Sequence, residues 1–312
     1  MNHTLDTRRI LVYLAFAFGI AWATALAIYL TGGLANSPML FPDLGISLAL
    51  ILLAGPVMWA PGLSHVLTRL ITREGWERPY LRPRLRQAWP YWLAAWFLPG
   101  VLTIVCMVAY FLLFPRYYDP RLSALREMLE PVTEAGVELE GVSLWALTAA
   151  QVAQALLLAP ILNSVATFGE EFGWRAYLQP KLMALGTRKA LVVTGAIWGV
   201  WHWPVILMGY NYGFDYPGVP FLGPLAMVWF TVVVGVLLGW LTLRGRSVWP
   251  AVIGHGALNG VAGLGALFSR GNPNTLLGPT PVGLVGGIGF AAAAAVILLL
   301  FQPRVGQDAE SK

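Results

Sequence analysis

The chain has 312 residues, of which 57% are hydrophobic and 11% charged, and its mean hydropathy is +0.66. Soluble domains carry about 25% charged residues, so this composition excludes an ordinary water-soluble globule and makes lipid the main solvent. The net charge of +5 does not argue for nucleic acid as a partner, because the placement of the charges matters more than their sum.

Spanning the hydrocarbon layer takes about 20 mostly apolar residues. Eight stretches qualify, near 10–32, 45–66, 89–114, 144–168, 190–208, 221–243, 248–268 and 281–301. The first follows Arg8 and Arg9 and contains small residues from Ala23 to Ala27, as a cleaved signal would. Its apolar run continues to Leu30, so it is expected to stay as a helix. The loop 65–88 carries six arginines against Glu74 and Glu77. Either it meets anionic lipid heads or it simply fixes topology. The third stretch holds the single cysteine, Cys106, which excludes an internal disulfide and a cysteine-rich zinc site. In the loop 115–143 the acids Asp119, Glu127, Glu130, Glu134, Glu138 and Glu140 face three arginines. A short surface helix is expected there around 121–130. The fourth stretch is expected to continue as helix to about 185. The fifth is short and contains Pro204, which can kink a helix.

Orientation follows from Lys and Arg, which are in excess in cytoplasmic loops. With the N-terminus inside, Arg8, Arg9, Arg69, Arg73, Arg78, Arg82, Arg84, Arg86, Arg175, Lys181, Arg188, Lys189, Arg244, Arg246, Arg304 and Lys312 fall on the cytoplasmic side. Only Arg116, Arg121, Arg126 and Arg270 fall outside. A wrong helix count would scramble this alternation. The expectation is therefore an all-α polytopic membrane protein of about eight transmembrane helices, both termini cytoplasmic, with residues 1–312 forming a single membrane domain.

A charge at mid-membrane costs about 2.5–3.5 kcal/mol or more, so intramembrane ionisable residues are functional candidates. Here they are Glu170, Glu171, Arg175, His202 and His255, joined by the amide of Asn259. Glu171 and Arg175 are four apart and share a helical face. Glu170 points about 100° away, which leaves it free of that pair. Trp198 shares a face with His202, and His255 shares one with Asn259. Gly169 with Gly173, and Gly195 with Gly199, permit close helix approach. Each piece alone reads equally well as helix–helix glue or an interfacial charge; their concentration in three Gly-rich segments points to a site. His3 in the N-terminal tail and His65 at a span boundary read as unremarkable.

Glu170-Glu171-xxx-Arg175, then Trp198-xxx-His202, then His255-xxx-Asn259, resembles the three motifs of the CPBP family, the type II CAAX prenyl endopeptidases and bacteriocin-processing or immunity membrane proteases. The matching core runs over 155–262. Trp198 stands where the family usually has Phe. The resemblance implies an eight-helix intramembrane fold, a cavity open toward cytoplasm and bilayer, and peptide-bond hydrolysis. It implies that Glu170 and His202 activate water, that His255 and Asn259 stabilise the oxyanion, and that Glu171 and Arg175 support them. A zinc ion on Glu170, His202 and His255 is one possible cofactor, but no His-Glu-x-x-His motif is present and a metal-free glutamate mechanism suits the same residues. The implied partners are a protein or peptide substrate and membrane lipid. A bacterial host would favour a leader or membrane peptide over a prenylated CAAX tail, and the residue bias points to a bacterial cell membrane. The rivals are a non-catalytic scaffold or immunity protein and a proton-coupled transporter. No inverted repeat favours transport.

Overall fold

A computed structural model of the chain describes residues 5–76, 80–134, 141 and 143–301. His3, Glu77, Arg78, Glu138, Glu140, Arg304 and Lys312, assigned above by sequence, lie outside the described residues. The fold is all-α: α1 (Thr7–Leu30), α2 (Leu48–Ile71), α3 (Leu85–Leu113), α4 (Ser123–Glu134), α5 (Leu144–Leu157), α6 (Ser164–Gly173), α7 (Thr187–Trp201), α8 (Leu222–Gly245), α9 (Trp249–Val261) and α10 (Ile288–Leu300). Short helical turns join several of them, and a small antiparallel ribbon pairs Met39–Phe41 with Ile46–Ser47 between α1 and α2.

Four helices are long and apolar enough to cross a membrane unaided: α1, α2, α3 and α8. The chain is an integral membrane protein. The remaining expected spans are built from pieces. Beyond α5 the turn Ala159–Leu162, with Pro160 in it, leads into α6; the helix then passes through a π-turn at Trp174–Leu178 and Gln179–Leu182. The expected continuation to about 185 is observed, with breaks where Pro160 removes a backbone donor. Likewise α7 ends at Trp201, His202 sits at the break, and Trp203–Leu207 follows with Pro204 in its first turn. The last expected span is corrected. Residues 281–287 are turns, and only Ile288–Leu300 is helical. Thirteen residues rise only about 20 Å. Three glycines pack those turns so closely that a Cβ at Gly283, Gly286 or Gly287 would lie within 2.6 Å of neighbouring atoms.

The core is held by backbone proximity. α7 packs along α8, α2 along α6, and α9 along α3. A Cβ on Gly169 would come 2.7 Å from the Met58 carbonyl oxygen, and one on Gly173 would come 2.4 Å from Pro61. A Cβ on Gly195 would come 2.6 Å from the Val232 Cα of α8. With lipid as solvent there is little hydrophobic gain between helices, so small residues that admit close packing take over.

Contacts between loops check the alternation read from basic residues. At one face Asp6, Arg9, Arg69, Glu74 and Lys181 form a single ionic cluster. At that end too, Arg188 donates to the Leu299 carbonyl. At the other face, Arg270 donates through Nε to the Arg116 carbonyl and through its backbone to Tyr117. There the buried Asp119 accepts from the Arg121 and Ser123 amides at 2.9 and 2.7 Å, starting α4. Groups assigned to the same side meet one another. The reading of 65–88 as a basic loop is corrected at its start: α2 runs on to Ile71, Arg69 is buried at 4% exposure and Glu74 is half-buried in the cluster.

Glu74 accepts from Lys181 at 2.9 Å and from the Tyr177 hydroxyl at 2.9 Å, with Arg9 3.5 Å away. Partial burial raises its pKa, but these donors and cations outweigh that and hold it below the usual glutamate value. A carboxylate depressed in the folded state adds stability that is complete above the unfolded value, about 4.3, and is lost as pH falls below that and through the lower folded-state value. Glu74→Gln is expected to cost on the order of 1–2 kcal/mol at neutral pH and to flatten the acid limb of stability. Melting curves of both proteins between pH 7 and 3 in detergent check this; parallel limbs would count against it.

Candidate active site

Two faces of α6 explain how the site is assembled. Gly169 and Gly173 lie on the face toward α2. Asn163, Thr167, Glu171 and Arg175 recur every four residues and form a stripe on another face, since four residues nearly complete a turn. The stripe meets α9. Asn163 Nδ2 donates to the Gly256 carbonyl at 2.9 Å, and Thr167 Oγ1 donates to the Val252 carbonyl at 3.0 Å. These two clamps flank the turn that carries His255.

Glu171 sits between them and is fully buried. Its Oε1 accepts from Arg175 Nη1 at 3.0 Å and from His255 Nδ1 at 2.9 Å. A carboxylate can only accept, so His255 carries a proton on Nδ1 and turns Nε2 away from Glu171. The expected Glu171–Arg175 pair is thus present, and it extends to a third helix. Glu170, at 2% exposure, accepts at Oε2 from the Trp198 indole at 2.7 Å. Trp198 also lends its backbone carbonyl to His202 Nδ1 at 2.8 Å. That carbonyl fixes the proton on Nδ1 of His202 and again leaves Nε2 for exchange.

One indole therefore stands at the centre. The ring of Trp198 lies 5.6 Å from that of His202 and 5.3 Å from that of His255, and Arg175 Cζ stacks over it at 4.5 Å. Trp201 braces the outer side of His202, ring to ring at 4.7 Å, while its own indole donates to the Ala17 carbonyl of α1. Glu170, Glu171, Arg175, Trp198, His202 and His255 are brought together. Asn259 lies one turn beyond His255 on α9, is exposed, and its side chain makes no hydrogen bond among the described residues.

The zinc expectation does not fit this geometry. Among the described residues no three His, Cys, Asp or Glu side chains converge as a metal-ligating group.

The sequence reading passed over Asn163 and Thr167. An intramembrane Asn in an otherwise apolar run was the available signal, since such amides hydrogen-bond across helices. It also passed over His65, which is buried against this same helix.

An all-α membrane bundle with a buried acid–imidazole cluster shared among three helices defines the class: a polytopic membrane protein with an intramembrane polar centre. Residues 144–261 match the family model described as type II CAAX prenyl endopeptidase Rce1-like. Over 101 residues the chain is 30% identical to CAAX prenyl protease 2 of Methanococcus maripaludis, a stretch covering 32% of this chain and 37% of that relative. The chain thus matches little more than a third of the length of that curated relative. This motif-bearing segment is thus similar to the type II CAAX prenyl endopeptidases.

The carboxylates make separable predictions. Gln in place of Glu171 leaves Arg175 buried without its counter-charge, and breaking a buried pair costs about 3–5 kcal/mol. Gln in place of Glu170 keeps an oxygen to accept from Trp198. Melting temperatures are expected to fall sharply for Glu171→Gln and little for Glu170→Gln. The reverse order would contradict the arrangement.

Proposed function

We propose that the chain is an intramembrane endopeptidase that hydrolyses a peptide bond of a membrane-associated protein or peptide. The observation that carries this reading is the buried juxtaposition of an acid and two imidazoles, each imidazole pinned through Nδ1 so that Nε2 is presented. Pinning one ring nitrogen sets the tautomer, as a general acid–base histidine requires.

In this reading Glu170 Oε1 and His202 Nε2 hold a water molecule. As the water oxygen bonds to the scissile carbonyl carbon, Glu170 takes the proton. His255, carrying a proton on Nε2 as well as on Nδ1, and Asn259 donate to the developing oxyanion, Asn259 from the open side of the cluster. Glu171 fixes the His255 ring and offsets positive charge on it, the part a carboxylate plays in a catalytic triad. When the carbon–nitrogen bond breaks, the proton held by Glu170 passes to the leaving nitrogen. Arg175 holds Glu171 in place.

The substrate class follows from the setting. A centre buried among spanning helices is reached by a peptide held at the bilayer by lipid or by its own apolar segment. The name of the archaeal relative favours a C-terminal CAAX tail; a bacterial host favours a leader peptide. The contact with lipid and a bacterial cell membrane as location belong to the same proposal, and nucleic acid has no part in it.

Purified protein in detergent, offered a peptide library, is expected to cleave. Glu170→Ala and His202→Ala are each expected to lower the rate by 10²–10⁴-fold, the usual worth of a positioned acid or base, with melting temperature showing that the fold persists. Unimpaired cleavage by either folded variant would reject its role.

A further inference from the structure

His65 lies on α2, outside the segment that matches the family. It is 3% exposed and inserted between two rings, 4.3 Å from Phe172 and 4.5 Å from Tyr177 by ring centroids. Its Nδ1 meets the Phe172 carbonyl at 3.0 Å, and Arg69 Nε donates to its Nε2 at 2.7 Å. A carbonyl only accepts and a guanidinium only donates, so both ring nitrogens have one possible role: Nδ1–H donates to Phe172 and Nε2 accepts from Arg69. Phe172 is the residue after Glu171, at the point where α6 passes into the π-turn Trp174–Leu178. Such turns disturb the regular backbone bonding of a helix, and the His65 bond supplies a fixed donor beside the two carboxylates.

The far end of His65 is anchored as well. Arg69 bonds to the Gly75 carbonyl, stands 3.8 Å from Glu74, and lies against the rings of Trp76 and Tyr177. Glu74 is held by Lys181 and Tyr177, both downstream of the carboxylates on the same run of helix. The α2 segment therefore grips the carboxylate helix at two points: at Phe172 through His65, and at Tyr177 and Lys181 through Glu74. Just above, Gly62 faces the Gly169 carbonyl so closely that a Cβ would come within 2.8 Å of it. The grip thus runs along α2 for two turns.

The geometry points to His65 as a positioning residue for the Glu170–Glu171 pair, held in register by Arg69 and acting through the Phe172 backbone carbonyl. The polar centre is therefore incomplete within residues 144–261 and needs α2. The kinetic arm of the test rests on the endopeptidase reading; the spectroscopic arm does not.

His65→Phe keeps a ring in the slot and removes both hydrogen bonds. His65→Asn loses the ring but places an amide N–H where Nδ1–H stood. Full-length protein labelled at the indole nitrogen reports the Trp198 N–H, whose bond to Glu170 makes it a probe of carboxylate position; Trp198→Phe assigns the signal. In folded His65→Phe the Trp198 resonance is expected to move and kcat to fall about tenfold or more at nearly constant KM, because displacements of about 1 Å at a reacting group cost up to 10²-fold. His65→Asn is expected to restore both toward wild type. A Trp198 signal and kcat unchanged in His65→Phe overturn the proposal. So does failure of His65→Asn to repair either, or to fold, since ring packing alone would then be what matters. If His65→Phe does not fold, Arg69→Met serves in its place by removing the anchor with the ring still seated, and an unchanged Trp198 signal there overturns the proposal equally. If not even wild type cleaves, the endopeptidase reading fails while the Trp198 signal still decides this one.

Discussion

The rest of the structure depends on one carboxylate oxygen. Glu171 Oε1 receives Arg175 from its own helix and His255 from α9, in an interior where an uncompensated charge costs several kcal/mol. Such a group is tolerated there only while both partners stay put. It therefore demands what the surrounding sequence supplies: glycines that bring backbones close, clamps from Asn163 and Thr167 that hold α9 at fixed height, and a fully buried Arg175 stacked on an indole. Each is a condition for the ion pair to be tolerated, and together they fix the orientation of His255.

The same constraint separates the roles of adjacent acids. Consecutive residues on a helix diverge by about 100°, so Glu170 and Glu171 cannot share one set of partners. Glu171 faces cations and is structurally saturated on one oxygen. Glu170 faces the edge of Trp198, a neutral donor, and keeps a carboxylate that is not neutralised by a direct ion pair. Trp198 transmits position in both directions, donating to Glu170 from its side chain and accepting from His202 through its backbone. An indole can do this where phenylalanine cannot. The aromatic that departs from the usual family residue is thus the one that joins Glu170 to His202.

What the sequence disclosed follows the range of the forces involved. The hydrocarbon layer requires long apolar runs, so α1, α2, α3 and α8 were readable, and the Glu171–Arg175 pair was readable because i, i+4 neighbours need no tertiary knowledge. The positive-residue bias sorted the loops into two groups, and members of each group meet one another. Long-range pairings were not readable. His255 meets Glu171 across 84 positions, and periodicity can place each on a face but cannot say which faces meet. His65 and Glu74 were read as boundary and loop residues because charge near a span end is usually solvated; their burial depends on Gly62 and Gly173 drawing two helices together. The final span failed for the converse reason: glycine-rich turns packed in the bundle are apolar enough to pass for helix. Asn259 shares a face with His255, yet α9 is nearing its end at Val261, where a face that began buried emerges.

The reach of the family match also has a physical meaning. Residues 144–261 supply every group of the acid–imidazole cluster, but a cluster of buried charges is no more stable than its walls. α1 receives the Trp201 indole behind His202, and α2 lies against Gly169 and Gly173 on the face of α6 opposite the charges. α3 packs on α9 and so backs His255. These three helices contribute no charge to the centre, and apart from His65 and Arg69 on α2 their sequences are constrained only to be apolar, small at the crossings and of the right length. Many sequences satisfy that. The chemistry-bearing segment is therefore the part whose residues are individually determined, while the helices around it exclude lipid and water and hold the charged pair at the separation it requires.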